Sequence, residues 1–110
     1  MFVRGGVAEW FPAVTASQLS APAGGVVCCW QTHMPWHRVV NDVRVVDTGS
    51  VGRPMDGDPR AGYVLLDIGD DLTVGVQFVR LAYDVELAAR KIMESALPNE
   101  FADFLRTGGA

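Results

Sequence analysis

Hydrophobic positions in this chain change their spacing twice, and the changes mark out its elements. Val26-Val27-Cys28-Cys29-Trp30 is an unbroken apolar run, with glycines before it and polar residues after. That is the pattern of a strand buried on both faces. Gln31 to His37 leaves it as a loop, because Pro35 removes a donor and biases Met34 away from helix. Arg38-Val39-Val40 and Val43-Arg44-Val45-Val46 flank Asn41-Asp42, two β-branched segments around a tight polar turn, which predicts a hairpin. Gly49, Gly52, Pro54, Gly57 and Pro59 then fix several bends in one loop. Gly62 to Ile68 returns to strand, and Gly69-Asp70-Asp71 turns the chain. Leu72 to Leu81 alternates, with Val74, Val76 and Phe78 on one side and Thr73, Gly75 and Gln77 on the other.

The period next lengthens to that of a helix. Asp84 is placed to cap one whose apolar stripe is Val85, Ala88, Ala89, Ile92, Met93 and Ala96. Pro98 breaks it before a second helix, in which Phe101, Phe104 and Leu105 share a face and Gly108 closes the end. Residues 1–25 are poorly defined: Gly5-Gly6 and Pro12 oppose a long helix, and Ser20 to Gly25 reads as a flexible linker. The expected fold class is α/β, or α+β as an isolated piece, with mainly antiparallel strands followed by two helices on one face of the sheet.

Composition narrows the function classes. Apolar residues make up 49% and charged residues 20%, a globular balance, in a length that allows one small domain. A net charge of −4 repels phosphate backbones, so nucleic acid is not an expected partner. No apolar run is long enough to span a membrane and no secretory leader is evident, so a soluble cytoplasmic protein with no membrane partner is expected. Cys28 and Cys29 are adjacent, which disfavours a bridge between them and suits free thiols in a reducing compartment.

The candidate chemistry clusters between Trp30 and Tyr63. His33 follows directly from a predicted strand, where a rigid sheet can present a ligand or catalytic group. His33 and His37 have the spacing of a helical zinc pair, but Pro35 between them opposes a shared helix face. Gly49-Ser50-Val51-Gly52 lacks the lysine of a phosphate-binding loop and reads as a turn. Asp56-Gly57-Asp58-Pro59-Arg60 reads as turn chemistry with a local ion pair. A cysteine nucleophile beside His33 is disfavoured, because thiols within an apolar strand have raised pKa values.

Taken in order, Thr32-His33-Met34-Pro35, a hairpin, Gly49-Ser50-Val51-Gly52-Arg53-Pro54, and Asp56-Gly57-Asp58-Pro59-Arg60-Ala61-Gly62-Tyr63 resemble the end of a bacterial or archaeal calcineurin-like metallophosphoesterase. The resemblance covers residues 26–110, which it implies are the C-terminal half of a four-layer sandwich. It also implies a divalent metal, manganese or similar, and metal-dependent phosphoester hydrolysis of the phosphodiesterase type. His33 matches a metal-ligating histidine of the family's last motif. Gln31 stands where that motif has its other histidine, Trp30 where it has glycine, and Asp47 where the family usually has asparagine.

The family's earlier ligand motifs have no counterpart: Glu9 is the lone acidic residue before Asp42. The resemblance therefore implies a truncated chain that is inactive or partner-dependent by itself. A half sandwich also exposes sheet edge and apolar face, so a homo-oligomer or a complementing protein half is the expected partner. The alternative is a non-catalytic interaction or oligomerisation module derived from the same fold.

Overall fold

A computed structural model of the chain describes residues 23–71 and 73–110. The expected irregularity of 1–25 falls, as far as residue 22, outside the described residues. Among the described residues five strands precede two helices: β1 (Val26–Cys29), β2 (Trp36–Val40), β3 (Val43–Asp47), β4 (Ala61–Ile68), β5 (Val74–Leu81), α1 (Val85–Met93) and α2 (Glu100–Thr107).

The Asn41-Asp42 hairpin forms as its sequence dictates. Both turn residues have left-handed backbone, φ 46° and 63°, the primed turn whose twist matches that of its strands. β2 pairs antiparallel with β3 from Trp36 opposite Asp47 to Val40 opposite Val43. β1 joins the other edge of β3 in parallel, Val26 beside Arg44 and Cys29 beside Asp47, giving the order β1-β3-β2. The doubly flanked strand is thus β3, and it is the buried one: Val43, Val45, Val46 and Asp47 are all closed to solvent. This corrects the expectation for Val26–Trp30. Among the described residues β1 has one neighbouring strand, only Val27 of it is buried, and Trp30 lies past the strand end at 54% exposure. Trp36 packs on the small core of Val27, Val43 and Val45.

β4 and β5 form a separate antiparallel pair. Its register puts Val64 opposite Phe78, Leu66 opposite Val76 and Ile68 opposite Val74. Opposed residues share a face, so six apolar side chains line one side of this ribbon. Ile68 is 57% exposed and Phe78 40%, so the stripe is far from covered. A two-stranded ribbon has little stability of its own in water.

The helices follow from their caps. The Asp84 carboxylate accepts from the Leu87 N–H at 2.8 Å, satisfying a donor that the first turn of α1 leaves unpaired. Asp84→Ala is expected to cost about 1 kcal/mol, read as a lower thermal midpoint with α1 amides exchanging faster. α1 stops at Met93, short of Ala96, where the Ser95 hydroxyl donates to the Ile92 carbonyl and accepts from the Leu97 N–H. Gly108 ends α2 with left-handed backbone, φ 66°. The two helices lie against each other, with Ala89, Ala102 and Leu105 buried and Arg106 reaching Glu86 at 2.8 Å. α2 is fastened to the loop after β3, not spread across a sheet as the sequence suggested. No helix among the described residues is long and apolar enough to cross a membrane.

Candidate functional site

β1 and β3 end side by side, and the bend after β1 is held by a carboxylate at the end of β3. Asp47 has no exposed surface. One of its oxygens accepts from the Thr32 N–H at 3.2 Å and the Thr32 hydroxyl at 2.6 Å. The other accepts from the Gly49 N–H at 2.9 Å. The Thr48 N–H donates to the Cys29 carbonyl at 2.7 Å and carries the parallel pairing past the strand ends. A buried carboxylate needs such donors, and these three fix Thr32 and Gly49 around it. Gly49 itself has φ 71°, and a Cβ there would sit 3.1 Å from the Pro35 ring. Only glycine lets the two loops pass this closely.

His33 sits on this bend with left-handed backbone, φ 58°. Its carbonyl accepts from the Met55 N–H at 3.1 Å, and its Nδ1 lies 2.8 Å from the Arg53 carbonyl oxygen. A carbonyl only accepts, so Nδ1 carries the proton and the neutral ring keeps a lone pair on Nε2. No described residue hydrogen-bonds to that Nε2. Metal-binding imidazoles use this same arrangement, one ring nitrogen donating to a carbonyl while the other is left for the metal.

Arg53 is tied at its side chain as well. Its guanidinium carbon lies 5.2 Å from the ring centre of Phe101 and 5.0 Å from that of Phe104, both on α2. Its N–H donates to the Ser50 hydroxyl at 2.9 Å. Further along, the Gly57 N–H donates to the Gly108 carbonyl at 3.0 Å. Asp56 pairs with Arg80 of β5. Asp58 takes Arg60 on both oxygens, and hydrogen bonds from that guanidinium hold its carboxyl down at about 2.

The other sequence candidates are not gathered here. Gln31 is exposed on the same bend. His37 lies on β2 opposite Val46, with its Nε2 buried and lacking a hydrogen-bond partner among the described residues. Burial pushes the Cys29 thiol up to about 12, with the Asp47 carboxylate beside it adding to the shift, and burial raises Cys28 as well. Neither thiol is an activated nucleophile. For a divalent metal, the His33 Nε2 is one available donor. No three His, Cys, Asp or Glu side chains among the described residues come together to hold an ion. Sequence reasoning singled out His33 as a candidate but did not see Asp47 as the hub or Arg53 as the link to α2. Neither carries a local signal beyond its residue type.

No family model matches the chain. A crystal structure of a metallophosphoesterase from Sphaerobacter thermophilus superposes with a TM-score of 0.69 over 84% of this chain, at 23% identity. The chain has the fold of part of a metallophosphoesterase. It spans 44% of that protein's chain. A hypothetical protein from Pyrococcus horikoshii matches with a TM-score of 0.64 at 26% identity, over 77% of this chain and 32% of its own. An uncharacterized protein of Methanocaldococcus jannaschii is 34% identical over 64 residues, 58% of this chain and 25% of that protein. The metallophosphoesterase-type fold thus extends well beyond what this chain covers.

Proposed function

We propose that this chain is the C-terminal part of a calcineurin-like phosphoester hydrolase and contributes His33 as a metal ligand. By itself it is inactive or depends on a partner. The observation that carries this reading is the His33 ring, whose Nδ1–H is engaged by the Arg53 carbonyl while no described residue hydrogen-bonds to Nε2. A bound divalent ion such as Mn²⁺ would supply polarisation of the phosphoester and an activated water. The described residues provide one imidazole for such an ion, with Gln31 a weak amide donor nearby in sequence. The remaining ligands come from residues outside those described, on this polypeptide or on another.

The open stripe of Val64, Leu66, Ile68, Val74, Val76 and Phe78 supports the partner half of the reading. A second copy of the chain or a complementing half of the fold would bury it. The same stripe favours a second reading, an interaction or oligomerisation module that keeps the fold without the reaction.

Mn²⁺ binding and hydrolysis of bis-p-nitrophenyl phosphate test both readings together, beside His33→Ala. Paramagnetic broadening of the His33 ring signals, with His37 untouched and no turnover by the chain alone, is the expected result. Turnover that needs Mn²⁺ and vanishes in His33→Ala would mark an assembly that completes the site. Mn²⁺ that leaves His33 unbroadened would overturn the ligand assignment. An oligomer that survives chelator, with no turnover, would then favour the interaction module.

A further inference from the structure

The bend after β1 fixes the backbone of His33, but its ring is fixed by one main-chain atom twenty residues away. That atom, the Arg53 carbonyl oxygen, lies in a loop with glycines and prolines on either side and no strand partner. Left to itself such a loop would let the carbonyl rotate, and the imidazole would lose the contact that selects its tautomer. Pro54, which is fully buried, closes the far side of that peptide, and the next residue, Met55, donates its N–H to the His33 carbonyl; the near side is held by the rest of Arg53. Its guanidinium lies over two aromatic rings of α2, 5.2 and 5.0 Å from their centres, and its N–H is taken by Ser50. Gly108, at the end of α2, accepts the Gly57 N–H on its carbonyl at 3.0 Å and ties the helix to the same loop. One residue thus connects the C-terminal helix to the histidine, through its side chain at one end and its carbonyl at the other.

We propose that Arg53 is the positioning residue for the His33 imidazole: stacked on Phe101 and Phe104, it holds the carbonyl that keeps the ring in its Nδ1–H form. The inference rests on reading His33 as a metal ligand, because only the Nδ1–H form offers Nε2 to an ion. It also explains why an arginine is used. A lysine would keep the charge but has no flat face to lie on two rings.

The test is a long-range ¹H–¹⁵N correlation spectrum of the full chain with labelled histidine, at a pH where imidazoles are neutral. It reads the tautomers of His33 and His37 separately. His33 is expected as the Nδ1–H form in the wild type and as a tautomer mixture in Arg53→Ala, with His37 and the β3 amides unchanged. Arg53→Lys should behave like Arg53→Ala, and so should the Phe101→Leu, Phe104→Leu double variant made from the helix side. The Mn²⁺ concentration that half-broadens His33 should rise about 10-fold or more in Arg53→Ala, the usual loss when a partner of a metal-bound histidine is removed. A wild-type His33 spectrum in Arg53→Ala would overturn the proposal whatever the metal does. A shifted tautomer with no Mn²⁺ broadening in either protein would keep Arg53 as the positioning residue and sink the metal reading alone.

Discussion

Asp47→Ala is expected to lose roughly 3 to 5 kcal/mol of stability, a large share of what a domain this small possesses. The reason lies in what the carboxylate leaves behind. Three donors converge on it, the Thr32 N–H, the Thr32 hydroxyl and the Gly49 N–H, in a place where Asp47 has no exposed surface. The Thr32 hydroxyl can turn to the Met34 carbonyl 2.9 Å away, but the two N–H groups are left buried, each costing about 1–3 kcal/mol, less whatever water can recover. Asp47→Asn should cost less, about 1–2 kcal/mol: its oxygen can keep Thr32, but its amide then faces the Gly49 N–H donor to donor. Urea unfolding of the three proteins gives the comparison. An alanine variant within 1 kcal/mol of the wild type would mean that water already serves those donors, and the hub would lose its importance. The same variant should disorder the His33 bend, because Thr32 is the residue the hub holds.

Gly108→Ala is the second large effect, about 3 kcal/mol. Two costs combine. At φ 66° any side chain strains the backbone by roughly 1–2 kcal/mol. A Cβ would also stand 2.6 Å from the Asp58 nitrogen and 2.7 Å from the carbonyl carbons of Gly57 and Asp58. All three are main-chain atoms that cannot swing aside, so α2 must lift from the loop or the loop must move. Gly109 is equally tight, with its own hypothetical Cβ 2.8 Å from the Met55 Cα. The urea midpoint should fall, and the Phe101 and Phe104 ring signals should lose the shifts that Arg53 imposes on them. If those signals stay in place while stability falls, strain at the helix end is the whole effect and α2 remains docked.

The elements of this fold were legible because each is specified over a few neighbouring residues. Asn41-Asp42 names its turn, the alternation from Val74 to Phe78 names its strand, and Asp84 and Gly108 name their helix ends. What the sequence did not disclose lies in pairings between distant segments. The run at Val26 is more continuously apolar than that at Val43, yet among the described residues β3 has a partner on each side and β1 has one. Asp47 reads as a polar residue closing a strand, and only the fold brings Thr32 to it from fifteen positions away. Asp56 and Arg80, twenty-four apart, are paired only because the loop crosses the start of the β4–β5 ribbon. His33 was visible as a histidine at a strand end. The carbonyl that orients its ring was not, since any residue can supply one.

The contact between Cys29 and Asp47 has a consequence for how the protein meets oxidants. With the thiol pushed up to about 12, on the order of one molecule in 10⁵ carries a thiolate at pH 7. Thiol oxidation and alkylation both proceed through that anion. Of two neighbouring cysteines, then, the one against the buried carboxylate holds its proton tightly and is expected to react slowly with oxidants and alkylating agents.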